Sequence, residues 1–324
     1  MSMYVKPFRE MSKKDSEEAG GKAANLSEMT QAGFRVPPGF CVTASSLEHL
    51  VVANGLQAKL DEIIASFDYE AYDDMEAKTA AIREMIAEAP IPDDLLAEIK
   101  SSIEELVGAD DAFVAVRSSV SVRGQAISSF PGMMDTFHYL KGEEEIIHHI
   151  RMCWSSLWTM RAAYNRFHKQ IDHHLGLIAP IVQKMVFSEM AGILFTANPI
   201  SGSRDEIVIE ANWGLGESVV SGKSMNDFFL IDKSTLAEKQ RRIQRKTVWV
   251  TFDSEKGWGR KEEETPEELV LKATLSEADV HELCETGLKI EQLFGGFPQD
   301  IEWAVAGGEK YILQARNIRN LAGS

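Results

Sequence analysis

Pro298-Gln299-Asp300-Ile301-Glu302-Trp303-Ala304-Val305, then Ala306-Gly307-Gly308-Glu309, then Lys310-Tyr311-Ile312-Leu313-Gln314-Ala315-Arg316, is the most informative stretch of the chain. Apolar and polar residues alternate on both arms around a Gly-Gly pair, which is the pattern of a β-hairpin. Asp300 and Glu302 are two apart and share one face of the first arm; Gln314 and Arg316 do the same on the second. A two-residue Gly307-Gly308 loop would set Ile301 opposite Gln314 and mix apolar with polar. A three-residue loop, Gly307 to Glu309, sets Val305 opposite Tyr311, Trp303 opposite Leu313 and Ile301 opposite Ala315. The other face then sets Glu302 opposite Gln314 and Asp300 opposite Arg316. A slip of one residue exchanges the faces, so the apolar pattern favours the three-residue loop, with a bulge at a glycine.

Two readings of that polar face compete. One is a solvated ladder with a single cross-strand ion pair, worth roughly 0.2–1 kcal/mol. The other is a ligand set. Two carboxylates and an amide oxygen are hard donors that suit Mg²⁺, which takes one or two carboxylates and leaves its other positions to water and phosphate. An adjacent arginine suits a phosphate oxygen. The rest of the chain has to decide between them.

The chain has 324 residues and a formal net charge of -16, enough length for one large or two medium domains with proper cores. The acidic balance argues against a nucleic-acid binder but not against nucleotide binding, which needs only a local cluster of cations. Cys41, Cys153 and Cys284 are scattered, with neither metal-ligand spacing nor an even count for a disulfide framework. A reducing, cytoplasmic setting is expected. The first residues carry no apolar signal-peptide core, and no apolar run is long enough to span a membrane.

Further pieces carry potential chemistry. Gly20-Gly21 reads as a turn into a helix that ends at Gly33, which puts Lys22 at a helix N-terminus, where backbone N–H groups and the helix dipole favour an anion. The P-loop spacing is absent. Residues 45–108 are helical by pattern. Phe113 to Ser119 is a short buried strand ending in Arg117, Ser118 and Ser119, followed by a Ser-rich loop from Val120 to Phe130 that could cover phosphates with N–H and O–H donors. Glu144 to His173 reads as one long helix. The pairs His148-His149 and His173-His174 face different ways on a helix and make poor bidentate metal sites. Strands are expected over 179–187, 192–199, 206–211, 226–231 and 247–251. Lys239 to Lys246 reads as a solvated basic hairpin and Glu263 to Glu268 as an acidic loop. Ser276 caps a helix that ends at Gly295-Gly296. Asn212 to Glu217 is a weak dinucleotide fingerprint without a third glycine.

Taken in order, several of these pieces resemble one family. They are Gly20-Gly21-Lys22-Ala23-Ala24-Asn25-Leu26, Val114 to Ser119, Gly132-Met133-Met134-Asp135-Thr136, Val182 to Val186, Gly192 to Thr196, Asn212 to Glu217, Gln299 to Trp303 and Ile312 to Arg316. The chain is similar to the N-terminal nucleotide-binding domain of phosphoenolpyruvate synthase and pyruvate phosphate dikinase. The resemblance implies an α+β, ATP-grasp fold of two lobes with the nucleotide between them. The expected N-terminal lobe is 1–187, with a helical insertion over 45–108 and a phosphate-covering loop over 118–136. The expected C-terminal lobe is 188–324, with the hairpin 298–316.

The resemblance also assigns roles. Lys22 and Arg117 would bind ATP phosphates, and the segment holding Gly132, Asp135 and Thr136 would close over them. Gln183, Lys184, Met185 and Val186 would form the strand whose backbone meets the adenine edge. Glu302 and Gln314, with Asp300 near them, would hold Mg²⁺, and Arg316 would contact the transferring phosphate. Lys22, Arg117, Glu302 and Arg316 would act in the transfer itself. In the family the phosphoryl group goes first to a histidine on a separate swivelling domain, and ATP yields AMP and phosphate. None of the eight histidines lies in the family's phosphohistidine signature, and Asn317 replaces the usual proline. The expectation is therefore a subunit or domain that serves a phosphohistidine partner, with no nucleic acid and no membrane involved. A phenylphosphate-synthase-like system with phenol as acceptor is slightly favoured. The alternatives are the ATP-binding domain of a phosphoenolpyruvate synthase or of rifamycin phosphotransferase, and, from another class, a non-catalytic ATP sensor.

Overall fold

A computed structural model describes residues 4–109, 111–123, 136–220, 224–318 and 321. The chain divides into two compact units. Unit 1 comprises Met1–Glu28 and Pro38–Met185; unit 2 comprises Met29–Pro37 and Val186–Ser324.

Unit 1 contains β1 (Val5–Pro7), most of α1 (Ser16–Gln31), β2 (Gly39–Val42), α2 (Ala44–Ala53), α3 (Gln57–Ala65), α4 (Tyr72–Glu88), α5 (Asp93–Val107), β3 (Val114–Val122), β4 (Thr136–Leu140), α6 (Glu143–Ser155), α7 (Met160–His168) and β5 (Gly176–Lys184). Among the described residues its strands form one antiparallel sheet in the order β1-β2-β5-β3-β4. Alternation along β3 separates two faces. Val114 and Val116 join a core with Phe40, Val182 and the buried sides of α2 to α6, including Leu50, Ile86, Ile99, Ile150 and Trp154. Ala115, Arg117 and Ser119 lie on the other face. Their register partners Gln183, Ile181 and Ala179 share it, as does Cys41, which pairs with Ile181. The Cys41 thiol reaches the Ala19 carbonyl at 3.7 Å, so α1 lies on this second face.

Three expectations for unit 1 change. The strand after Phe113 runs on to Val122 rather than stopping at Ser119, because β5 supplies partners along its whole length. The expected helix over 144–173 is broken. It passes through a 3-10 turn at Ser156–Trp158 and restarts at Met160, where the Thr159 side chain accepts the Ala162 N–H at 3.3 Å as an N-cap. The expected strand over 179–187 ends at Lys184, leaving Met185 and Val186 beyond it.

Unit 2 contains β6 (Met190–Phe195), β7 (Glu206–Trp213), α8 (Glu217–Val220), β8 (Asp227–Asp232), β9 (Glu238–Arg242), β10 (Val248–Phe252), β11 (Arg260–Glu264), α9 (Glu267–Val270), α10 (Glu277–Leu293), β12 (Gln299–Ala306) and β13 (Glu309–Asn317). Among the described residues these strands form an antiparallel sheet in the order β13-β12-β6-β7-β8-β9 and a separate β10-β11 pair. Helix α10 packs closely on β6: a Cβ at Gly287 would lie 2.7 Å from Leu194 Cδ2. Gly192 is required for a related reason. A Cβ there would lie 2.0 Å from the Glu210 carbonyl oxygen and 2.6 Å from the Trp303 indole.

Two polar runs differ from expectation. Lys239 to Lys246 is a solvated hairpin arm only in part. Its first half is the edge strand β9, and Lys246 is fully buried. Glu263 to Glu268 is not a loop, since Glu263 and Glu264 pair in β11 and Glu267 opens α9.

Candidate functional site

In unit 1 the helix α1 is broken at Gly20, whose φ of 71° and ψ of 163° are not helical. A second helical run therefore starts at Gly21, and Lys22, half-buried, stands in its first turn. Glycine suits position 20 on two counts: it tolerates positive φ, and a Cβ there would lie 2.3 Å from the Ser119 Oγ. That Oγ accepts the Ala23 N–H at 3.2 Å. Ser119 thus seats the start of this helix on the same face of β3 that carries Arg117, two residues earlier.

Arg117 is flanked in register by Ile181 on β5 and Thr136 on β4, and its Nη1 donates to the Gln183 Oε1 at 3.4 Å. Arg117, Thr136, Gln183 and Ser119 consequently share one face. Thr136 is exposed, while Gln183 is buried. Gly132 and Asp135 lie outside the described residues. Lys184 and Met185 follow differently. Their N–H groups donate to the Pro38 and Phe113 carbonyls at 2.9 Å each, so an adenine edge would have to meet this segment at other atoms. Val186 lies in unit 2, and its carbonyl accepts the Ser188 N–H at 2.9 Å.

In unit 2 the hairpin brings Glu302 opposite Gln314 and Asp300 opposite Arg316, the expected pairing of the polar residues. The tip differs from expectation. The loop has two residues, Gly307 and Gly308, at φ 59° and 77°, the positive pair that a type I′ turn needs. From that turn the strands pair as Ala306 with Glu309 up to Trp303 with Ile312, and the register then shifts by one between Glu302 and Trp303. The bulge falls at Leu313 rather than at a glycine. The tight turn sets one register at the tip and the bulge restores the other at the polar end.

Because α10 packs against Leu194, the register partner of Ile301, Asp300 and Glu302 lie on the opposite face of the sheet. Arg316 donates from Nε and Nη2 to the same Asp300 oxygen at 2.8 and 2.7 Å. Burial pushes the Asp300 carboxyl above its ordinary range, and nearby Glu302 adds to the rise. Arg316 opposes the shift without cancelling it. Two carboxylates in mutual repulsion beside a buried Gln314 amide are a donor set that fits a hard divalent cation, completed by water and phosphate oxygens. Among the described residues no group of three or more His, Cys, Asp or Glu could hold a metal ion, so such a cation would rest on this mixed carboxylate and amide set.

The sequence reading did not single out Ser119 as a helix anchor, or Glu210. Glu210 continues the row Gln314, Glu302, Ile193 across the sheet and is held by the Asn226 Nδ2 at 3.1 Å. Strand alternation was the available signal for both, through Arg117 to Ser119 and through Glu206 to Glu210.

The antiparallel sheets and their helices make a mixed α/β architecture, consistent with a nucleotide-binding domain of the ATP-grasp type. Residues 16–323 match the family described as pyruvate phosphate dikinase, AMP/ATP-binding domain. The chain belongs to this family, which implies ATP as its nucleotide. It is 42% identical over 98% of its length to the probable phosphoenolpyruvate synthase of Methanocaldococcus jannaschii, covering 27% of that protein. It is 37% identical to the phosphoenolpyruvate synthase of Pyrococcus furiosus, over 98% of this chain and 44% of that one. Against the rifampicin phosphotransferase of Bacillus cereus the identity is 35%, over 99% of this chain and 36% of the relative. The chain thus spans less than half the length of each of these relatives. No helix among the described residues is long and apolar enough to cross a membrane.

Proposed function

We propose that this chain binds ATP with Mg²⁺ and transfers a phosphoryl group to a histidine supplied by another domain or a partner protein. The observation that carries the reading is the hairpin's polar face, where Glu302 and Gln314 stand beside the Asp300–Arg316 pair. Phosphoryl transfer is mostly positioning and charge neutralisation, and these residue types supply both. Glu302 and Gln314, with Asp300, would hold the cation, which on binding neutralises charge on the phosphate oxygens. Arg316 uses Nε and Nη2 on Asp300, and its remaining N–H donors would serve the transferring phosphate. Lys22 and Arg117 would neutralise the rest of the triphosphate. The family resemblance implies dikinase chemistry, in which the β-phosphate of ATP is transferred and AMP and phosphate are the products.

The names of the relatives favour the acceptor of a phosphoenolpyruvate synthase, pyruvate, with a rifamycin-type antibiotic as the second choice. The phenol acceptor of a phenylphosphate-synthase-like system draws no support from them. A non-catalytic ATP sensor is the reading of another class, and retention of Glu302, Gln314 and Arg316 speaks against it.

The test combines calorimetry of ATP binding, with and without Mg²⁺, and transfer from β-³²P-ATP to a phosphohistidine-domain protein. Glu302→Gln is expected to bind ATP nearly as well as wild type but to transfer on the order of 10²-fold more slowly or worse. Unchanged transfer would reduce Glu302 to one rung of a surface ladder. Tight binding with no transfer to any histidine partner would favour the sensor.

A further inference from the structure

We propose that Ser119 is a positioning residue that seats Lys22 for the phosphates of ATP. The inference rests on the ATP-site reading above. Three observations converge on this serine. Its Oγ accepts the Ala23 N–H at 3.2 Å, one residue from Lys22. Gly20 breaks α1 at φ 71°, which lets the helical run restart beside β3 and not continue past it. The contact is tight enough that no side chain fits between them, since a Cβ at Gly20 would lie 2.3 Å from Ser119 Oγ and 2.9 Å from the Ser119 carbonyl carbon.

Ser119 is 1% exposed, so it touches no ligand in solvent and acts through its neighbour. It stands two residues after Arg117 on the same face of β3, and a strand fixes that spacing at roughly 6.6 Å. One hydroxyl therefore ties the helix that carries Lys22 to the strand that carries Arg117. Lysine has a flexible four-carbon stem, so where its charge rests depends on how firmly its backbone is anchored. Loss of the hydroxyl leaves the Ala23 N–H without its partner and releases the first turn of the helix.

The experiment is a double-mutant cycle read by calorimetry. Ser119→Ala is expected to weaken ATP binding about tenfold, leave adenosine binding unchanged, and add nothing further in a Lys22→Met background. Gly20→Ala, which drives a Cβ into Ser119, should reproduce the loss for ATP. If Ser119→Ala does not fold, Ser119→Cys keeps the size with a weaker acceptor and should show the same split between ATP and adenosine. Equal losses for ATP and adenosine, or a full additional loss in the Lys22→Met background, would show a merely structural serine and overturn the proposal. ATP binding that needs Lys22 but ignores Ser119 would overturn it alone. Absence of ATP binding in the wild-type chain would overturn the ATP-site reading and this inference together.

Discussion

Lys246 shows how far a single side chain can depart from what its neighbours suggest. Its Nζ lies 2.7 Å from Asp227 Oδ1, with both side chains fully buried. Asp227 also accepts the Gln244 N–H, the Thr274 N–H and the Thr274 hydroxyl, each at 2.9 Å. The pair ties the start of β8 to the segment after β9 and to the turn before α10. Removing one member of a buried pair strands the other charge, which costs about 3–5 kcal/mol. Lys246→Met should lower the free energy of unfolding by that amount, read as a lower urea midpoint at unchanged slope. A loss below about 1 kcal/mol would mean that the other three donors suffice for the carboxylate. In the sequence Lys246 closes a run of cations that looks solvated, and nothing in that run distinguishes it from Lys239, which is exposed and pairs with Glu206 at 2.5 Å.

The hairpin β12-β13 is governed by competition between its turn and its faces. The Gly307-Gly308 pair closes in two residues because both adopt positive φ, and the bulge at Leu313 then returns Glu302 to Gln314 and Asp300 to Arg316. Asn-Gly is the preferred pair for a type I′ turn, and asparagine restricts the unfolded chain more than glycine does. Gly307→Asn is therefore expected to stabilise the protein by about 0.4–1 kcal/mol, read as a raised midpoint in thermal unfolding. Destabilisation would show that the turn is not of this type. Residues 29–37 contribute a second feature to unit 2. The Ile312 N–H donates to the Arg35 carbonyl at 2.9 Å, Arg35 pairs with Glu309, and its guanidinium lies 5.9 Å from the Tyr311 ring centroid. An otherwise open sheet edge is thereby covered.

Across the molecule, pH acts most plainly on unit 1. His173 joins α7 to the aromatic residues around Tyr69. Its Nδ1 accepts from Arg166 Nε at 3.0 Å, and its Nε2 bonds the Tyr69 hydroxyl, an arrangement that needs a neutral ring. Burial, reinforced by the Arg166 charge, pushes it from the ordinary 6.5 down to about 4; Asp172 pulls it up and His174 down. The unfolded chain binds this proton more readily than the folded one. The stabilising contribution is therefore complete above about pH 6.5 and is lost as pH falls towards 4. With solvent screening allowed for, the loss is on the order of 1–2 kcal/mol. It should appear as a falling melting temperature for unit 1 over that window. His173→Gln, which carries no titrating proton, should flatten that dependence; an unaltered slope would assign it to carboxylates.

Local periodicity was enough to read the polar pairing of the hairpin, the helical character of residues 45–108, the capped helix after Ser276 and the placement of Lys22 at a helix start. Each of these depends on contacts between residues close in sequence, or on a period that the chain carries along itself. Other features depend on distant partners. The length of β3 was set by β5, the burial of Lys246 by Asp227, the edge of β13 by residues 29–37, and the seating of Lys22 by Ser119, 97 positions away in the sequence numbering. Those contacts join segments with no shared local pattern, and their free energy appears only when the chain has folded far enough to bring the segments together.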